Sequence, residues 1–180
     1  MSYLILEYAR QIRRGVELNL REGLILPTLM LLYSGMDVFG SLASQSGRAG
    51  QQSFTDWTSQ YMASFLSKKG ISATDLYSAR CGILHTGRAT SDMVDGEKAR
   101  ELWYKLGDDS HINLIVNTPL PPVEINIDEM AAAFSGGIDQ FLGAVQSDST
   151  LRQTVTQNAE RFFRKGKLFG PIFRTNQGPF

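Results

Sequence analysis

The sequence predicts a mainly α-helical fold, a bundle of helices carrying one short β-hairpin. Two observations lead to it. Apolar residues recur at helical spacing through most of the chain, and between Glu101 and Val116 that period gives way to short runs rich in aromatic and β-branched residues. A chain of 180 residues with 42% hydrophobic and 20% charged residues is of single-domain size and rich enough in apolar side chains to bury a core.

The first helix is expected from about Tyr3 to Leu20, with Leu4, Ile5, Tyr8, Ile12, Val16 and Leu20 on one face and Arg10, Arg13, Arg14 and Glu17 between them. Arg21, Glu22 and Gly23 break it. The second takes Pro27 in its first turn, where a missing N–H costs little, and runs through Leu29, Leu32, Tyr33, Met36 and Phe39 to about Ala43. Gly35 and Gly40 inside it each cost about 1 kcal/mol of helix propensity relative to Ala, which suggests a neighbour packed closely on that face. This is the most apolar stretch of the chain. Ser34 and Asp37 interrupt it, so it reads as a buried helix and no membrane span is expected.

Residues 44–53 read as a loop. A third helix, with Ser53 as its cap, carries Phe54, Trp57, Tyr61, Phe65 and Leu66 before Lys68, Lys69 and Gly70 end it. Ser72 or Thr74 caps a fourth, which holds Leu76, Arg80, Ile83 and His85 and stops at Gly87. An acidic connection over 89–97 leads to the expected hairpin, whose arms are 101–106 and 111–116 around the turn-rich Gly107-Asp108-Asp109-Ser110; the first arm would serve equally as a helix continuing from Glu97. Asn126 or Asp128 caps a helix from about Glu129 to Val145, and a last helix covers roughly Ser149 to Arg164. The organisation is thus a core of helices over 1–88, a connection with the hairpin over 89–127, C-terminal helices over 128–165, and a basic aromatic tail over 166–180.

Charge and cysteine usage narrow the function classes. Formal net charge is zero, but from Leu151 onward six basic residues face Glu160 alone, a net +5 that leaves −5 on the remainder. A tail of that kind suits RNA phosphates or packs back on its own domain. The single Cys81 excludes an internal disulfide framework and a multi-cysteine zinc site, so a reducing cytoplasm is the expected compartment. The N-terminus lacks a basic leader before an apolar run. There is no glycine-rich phosphate loop, paired-histidine metal motif or Gly-x-Ser-x-Gly elbow. Neither a metal nor a cofactor is expected.

Arg80 and His85, late in the fourth helix, are the leading candidate site. His85 is one of two histidines and can move a proton near neutral pH, while the permanently charged fork of Arg80 suits a phosphate. Positions five apart on a regular helix differ by about 140° of rotation, so the two side chains are not expected on one face. A second copy of the chain across a two-fold axis would bring such pairs together, with Gly82 allowing close approach. On a helix C-terminus the same two cations also suit the macrodipole, and Arg80 has acidic candidates for a partner in Asp37 and Asp75. Cys81 reads as a small buried hydrophobe, His111 as a surface residue, and Trp57 and Trp103 as core.

The segment Arg-Cys-Gly-Ile-Leu-His, preceded by the buried Leu-Leu-Tyr-Ser-Gly-Met-Asp-Val-Phe-Gly-Ser-Leu-Ala helix and the lead-in Leu-Tyr-Ser-Ala, resembles the HEPN superfamily (higher eukaryotes and prokaryotes nucleotide-binding) over about Tyr3 to Gly87. The resemblance implies an antiparallel helical bundle and a metal-independent endoribonuclease site built from Arg80 and His85 in a homodimer, in a toxin or defence system with a protein antitoxin or regulator. A non-catalytic module of the same fold, binding RNA, a nucleotide or a protein, is the alternative. The chain departs from active members in carrying Cys81 where many place Asn, Asp or His, and Gly87 where some toxins place Tyr.

Overall fold

The computed structural model describes residues 3–86, 91–107 and 120–165. Within them the order is α1 (Tyr3–Arg21), α2 (Ile25–Ala43), α3 (Gln51–Tyr61), α4 (Ala63–Lys69), α5 (Ala73–Thr86), α6 (Asp92–Asp95), β1 (Leu102–Lys105), β2 (Val123–Asn126), α7 (Ile127–Ser147) and α8 (Ser149–Lys165). The mainly helical expectation is met, with a small two-stranded sheet beside the helices.

The α1 face bearing Ile5, Ala9, Ile12 and Val16 is buried, as its periodicity required. The chain then turns through Gly23, whose φ of 67° lies in the left-handed region that glycine enters without penalty. Helix α2 is the centre, packed against α1, α3, α5, α7 and α8. It is also the one described helix long and apolar enough to cross a membrane, and most of it is instead buried inside the protein. Phe39 stands at the middle of an aromatic cluster, with ring centroids of Tyr8, Trp57, Phe134 and Phe141 at 5.5 to 6.1 Å.

The glycines of α2 have the reason their spacing suggested. A Cβ on Gly35 would run into the ring of Phe134 on α7, and one on Gly40 would lie 2.5 Å from the Ser53 carbonyl of α3. The end of α2 is held from far along the chain: buried Asn158 on α8 donates through Nδ2 to the carbonyls of Ser41, Leu42 and Ser44 at 3.3, 3.0 and 2.7 Å. These carbonyls belong to a helix end that has no intrahelical donor left for them.

Three expectations are corrected. The single third helix is two, broken at Met62 (φ −121°, ψ 19°), where the preceding Tyr61 carbonyl comes against Gly137 of α7. Ser53 does not cap it: Gly50 does, because Gln51 and Gln52 are taken into the first turn, and Ser53 Oγ donates back to the Gly50 carbonyl at 3.0 Å. The third correction concerns the hairpin. Its first arm is strand β1, but β1 pairs in parallel with β2, Leu102 opposite Val123 through Lys105 opposite Asn126. A two-residue turn cannot join parallel strands, so the pair depends on a long connection. The expected second arm, 111–116, lies outside the described residues, as do His111, Gly87 and the tail. The caps fared better: Asn126 Oδ1 accepts from Glu129 N at 3.0 Å and starts α7, and α8 follows at Ser149.

Two substitutions test this packing. Asn158→Ala removes one donor from each of three carbonyls and leaves that of Leu42 without any, since Ser41 keeps the Ser44 hydroxyl and Ser44 keeps the Gly47 N–H; it should cost about 1–3 kcal/mol, seen as a lower urea midpoint with an unchanged slope. Gly40→Ala forces α2 and α3 apart and should cost a comparable 1–3 kcal/mol or so.

Candidate functional site

Helix α5 carries the candidate residues, and its start is locked locally. Ser72 and Asp75 form a reciprocal capping box, Ser72 N donating to Asp75 Oδ2 at 2.7 Å and Asp75 N to Ser72 Oγ at 3.1 Å. The other oxygen of Asp75 accepts from Arg100 N at 2.6 Å. Both oxygens of Asp75 are therefore already engaged. Leu76, Ala79 and Ile83 turn inward, which fixes the rotation of the helix and places Arg80 toward α2.

There Arg80 meets Asp37. Its Nε and Nη2 both lie 2.7 Å from Asp37 Oδ2, in a pair of which the side chains are only 16% and 11% exposed. The remaining nitrogen, Nη1, is 3.0 Å from His85 Nε2 and 3.9 Å from Cys81 Sγ. The guanidinium carbon lies 5.8 Å from the centre of the Tyr77 ring. Of the two acidic partners weighed from sequence, the structure selects Asp37.

The expected separation of Arg80 and His85 is also corrected. About 140° of helical rotation does part their backbone positions, but the long Arg80 side chain spans it, and one protomer brings the two together. Arginine only donates, so in this contact Nε2 is the acceptor and His85 carries its proton on Nδ1. His85 is exposed, whereas Gly82 is buried inside the chain, so a second copy would meet His85 rather than Gly82.

Burial raises the pKa of Asp37, and the hydrogen bond and charge of Arg80 only partly offset this. Burial would lower that of Arg80, but the Asp37 carboxylate outweighs it and the guanidinium is held more firmly charged than usual. Tyr8 on α1 is pushed up by burial first and then by the negative charge of Asp37. Tyr77 is raised by burial and then by Cys81. Asp37 Oδ1 is buried without a hydrogen-bond partner. Sequence reasoning missed Tyr77, which stands one helical turn before Arg80 on α5 and so puts its ring beside the guanidinium. Among the described residues no three side chains of the ligating types His, Cys, Asp and Glu gather as a metal site.

A buried, paired carboxylate gives a pH signature. Folding raises the Asp37 pKa, so between its ordinary value of 3.8 and the folded value the folded chain binds more protons than the unfolded one. Its contribution to stability is greatest below 3.8 and is lost as pH climbs through the folded value. Urea unfolding of the wild type and Asp37→Asn across the acid range should show the difference between them moving against the wild type as pH rises. A constant difference would contradict the assignment.

Comparison with protein-family models, with curated proteins and with solved structures finds no match for the chain.

Proposed function

We propose that this chain is a HEPN-like, metal-independent endoribonuclease that works as a homodimer, with Arg80 and His85 as the reacting pair. The observation that carries the reading is the 3.0 Å approach of Arg80 Nη1 to His85 Nε2, with the guanidinium held from behind by Asp37. A phosphate-binding fork beside a neutral imidazole nitrogen is the pairing that RNA cleavage without metal needs.

The steps follow from the donors and acceptors. A phosphodiester seated at Arg80 Nη1 displaces His85 from it and frees the Nε2 lone pair. That nitrogen removes the proton of the 2′-hydroxyl, the 2′-oxygen attacks phosphorus, and the bond to the 5′-oxygen breaks, leaving a 2′,3′-cyclic phosphate. The guanidinium neutralises charge building on the phosphoryl oxygens. The leaving 5′-oxygen needs a proton donor, which the exposed His85 of a second protomer would supply. Cys81 has no part in these steps.

His85→Ala should lower cleavage of single-stranded RNA by about 10²-fold or more with fold intact, and Arg80→Ala should lower it as far while also costing stability, because it strands the buried Asp37 carboxylate. Activity should survive a chelator, and Arg80→Lys should not restore it, since an ammonium cannot hold Asp37 and phosphate together. Light scattering should give a dimer. A protein that cuts no RNA, or a His85 variant as fast as wild type, rejects the reading.

One observation favours the alternative, a non-catalytic RNA-, nucleotide- or protein-binding module: two of the three guanidinium nitrogens are spent on Asp37 in a largely covered pair. In that case RNA would at most be bound and not cut, and His85→Ala would leave binding unchanged.

A further inference from the structure

A phosphodiester at Arg80 meets only one uncommitted guanidinium nitrogen. Nε and Nη2 are spent on Asp37, which leaves Nη1 for a group with two non-bridging oxygens, and charge on both grows as the 2′-oxygen attacks. A second donor beside Nη1 is what such a site needs.

Tyr77 stands where that donor would have to be. It lies one turn before Arg80 on α5, with the guanidinium carbon 5.8 Å from the centre of its ring. Phe54 of α3 holds the same ring from another side, the two centroids 5.6 Å apart and the planes at 62°. The Tyr77 hydroxyl is hydrogen-bonded to the thiol of Cys81, one turn further along the helix, and that sulfur lies 3.9 Å from Arg80 Nη1. Hydroxyl and free guanidinium edge therefore share a neighbour.

Two further properties suit this phenol to a substrate. Tyr33 and Tyr104 are committed to each other through their hydroxyls, whereas the Tyr77 hydroxyl rests on a thiol, a weak partner that a phosphate oxygen outcompetes. Tyr77 is also only half-buried, so its tip is open to a strand arriving at Arg80. Burial, and after it Cys81, raises its pKa above the ordinary 10.0, and the Arg80 charge offsets this only in part. The phenol thus keeps its proton at neutral pH. It can donate a hydrogen bond but cannot take the proton of the 2′-hydroxyl, which stays the work of His85.

We propose that the Tyr77 hydroxyl is a third catalytic group of this site, donating to a non-bridging oxygen of the scissile phosphate beside Arg80 Nη1. The contact strengthens as charge builds on that oxygen, and so favours the transition state over the bound substrate. This inference rests on the ribonuclease reading and supplies the donor that the Asp37 pair withholds from the phosphate.

Tyr77→Phe isolates the hydroxyl, because it keeps the ring, its contact with Phe54 and its place beside the guanidinium. Cleavage of single-stranded RNA at saturating substrate should fall by about tenfold or more, with the urea midpoint unchanged. Sulfur accepts hydrogen bonds poorly, so replacing one non-bridging oxygen of the scissile phosphate by sulfur distinguishes a lost hydrogen bond from a packing effect. For one of the two phosphorothioate diastereomers, the ratio of oxygen to sulfur rates should be smaller in Tyr77→Phe than in wild type. On a substrate whose 5′-oxygen is replaced by sulfur, which leaves without needing a proton, the Tyr77→Phe defect should persist. A Tyr77→Phe rate within about twofold of wild type, or oxygen-to-sulfur ratios that are the same in both proteins, overturns the proposal and leaves Arg80 and His85 in their roles. A defect that vanishes on the 5′-sulfur substrate also overturns it, by making the phenol the acid for the leaving group. Wild-type protein that cuts no RNA removes the proposal together with the reading beneath it.

Discussion

Helix α2 is apolar on nearly every side, and the rest of the structure follows from the need to cover it. Five helices pack against it, and close approach to two of them is possible only because Gly35 and Gly40 present no side chain where Phe134 and the Ser53 backbone arrive. The aromatic rings around Phe39 fill the space between those helices, while Asn158 takes over the carbonyls at the point where α2 ends. Hydrophobic burial supplies the drive, and the unpaired backbone at the helix end sets a polar requirement that burial cannot meet.

Asp37 is the exception on that helix. A carboxylate in such surroundings is costly unless paired, and Arg80 is the partner that α5 brings to it. The same ion pair that makes α2 acceptable as a core helix therefore sets the attitude of the guanidinium, and with it the edge that faces His85. Structural and chemical roles of Arg80 are not alternatives at the level of contacts. Its Nε and Nη2 serve the core, and Nη1 is directed toward the exposed imidazole.

A cleft between the end of α2 and α3 has a different origin. The segment 44–50 leaves α2 without regular structure, so the start of α3 is exposed and its amides are not taken up by a capping side chain. Ser53, which would have served as a cap had the helix begun later, is drawn into the first turn instead. A polar recess next to a tightly packed aromatic core is the result, and Trp57 belongs to both.

Local chemistry made much of this legible in the sequence. Apolar spacing marked α1, α2 and α7 because a helix needs one covered stripe, and Asn126 and Ser72 were among the candidate helix starts because capping is settled within four residues. The pair Arg80 and His85 stood out by residue type alone. Tertiary structure decided what depends on distant segments: that Asp37 and not Asp75 holds Arg80, that the helix breaks at Met62 opposite Gly137, and that β1 pairs in parallel with a strand about twenty residues on. It also decided that Arg80 reaches His85. Helical rotation, which sequence spacing specifies, separates their backbones, but the direction a long side chain takes is set by the carboxylate it must neutralise, and that carboxylate lies on another helix.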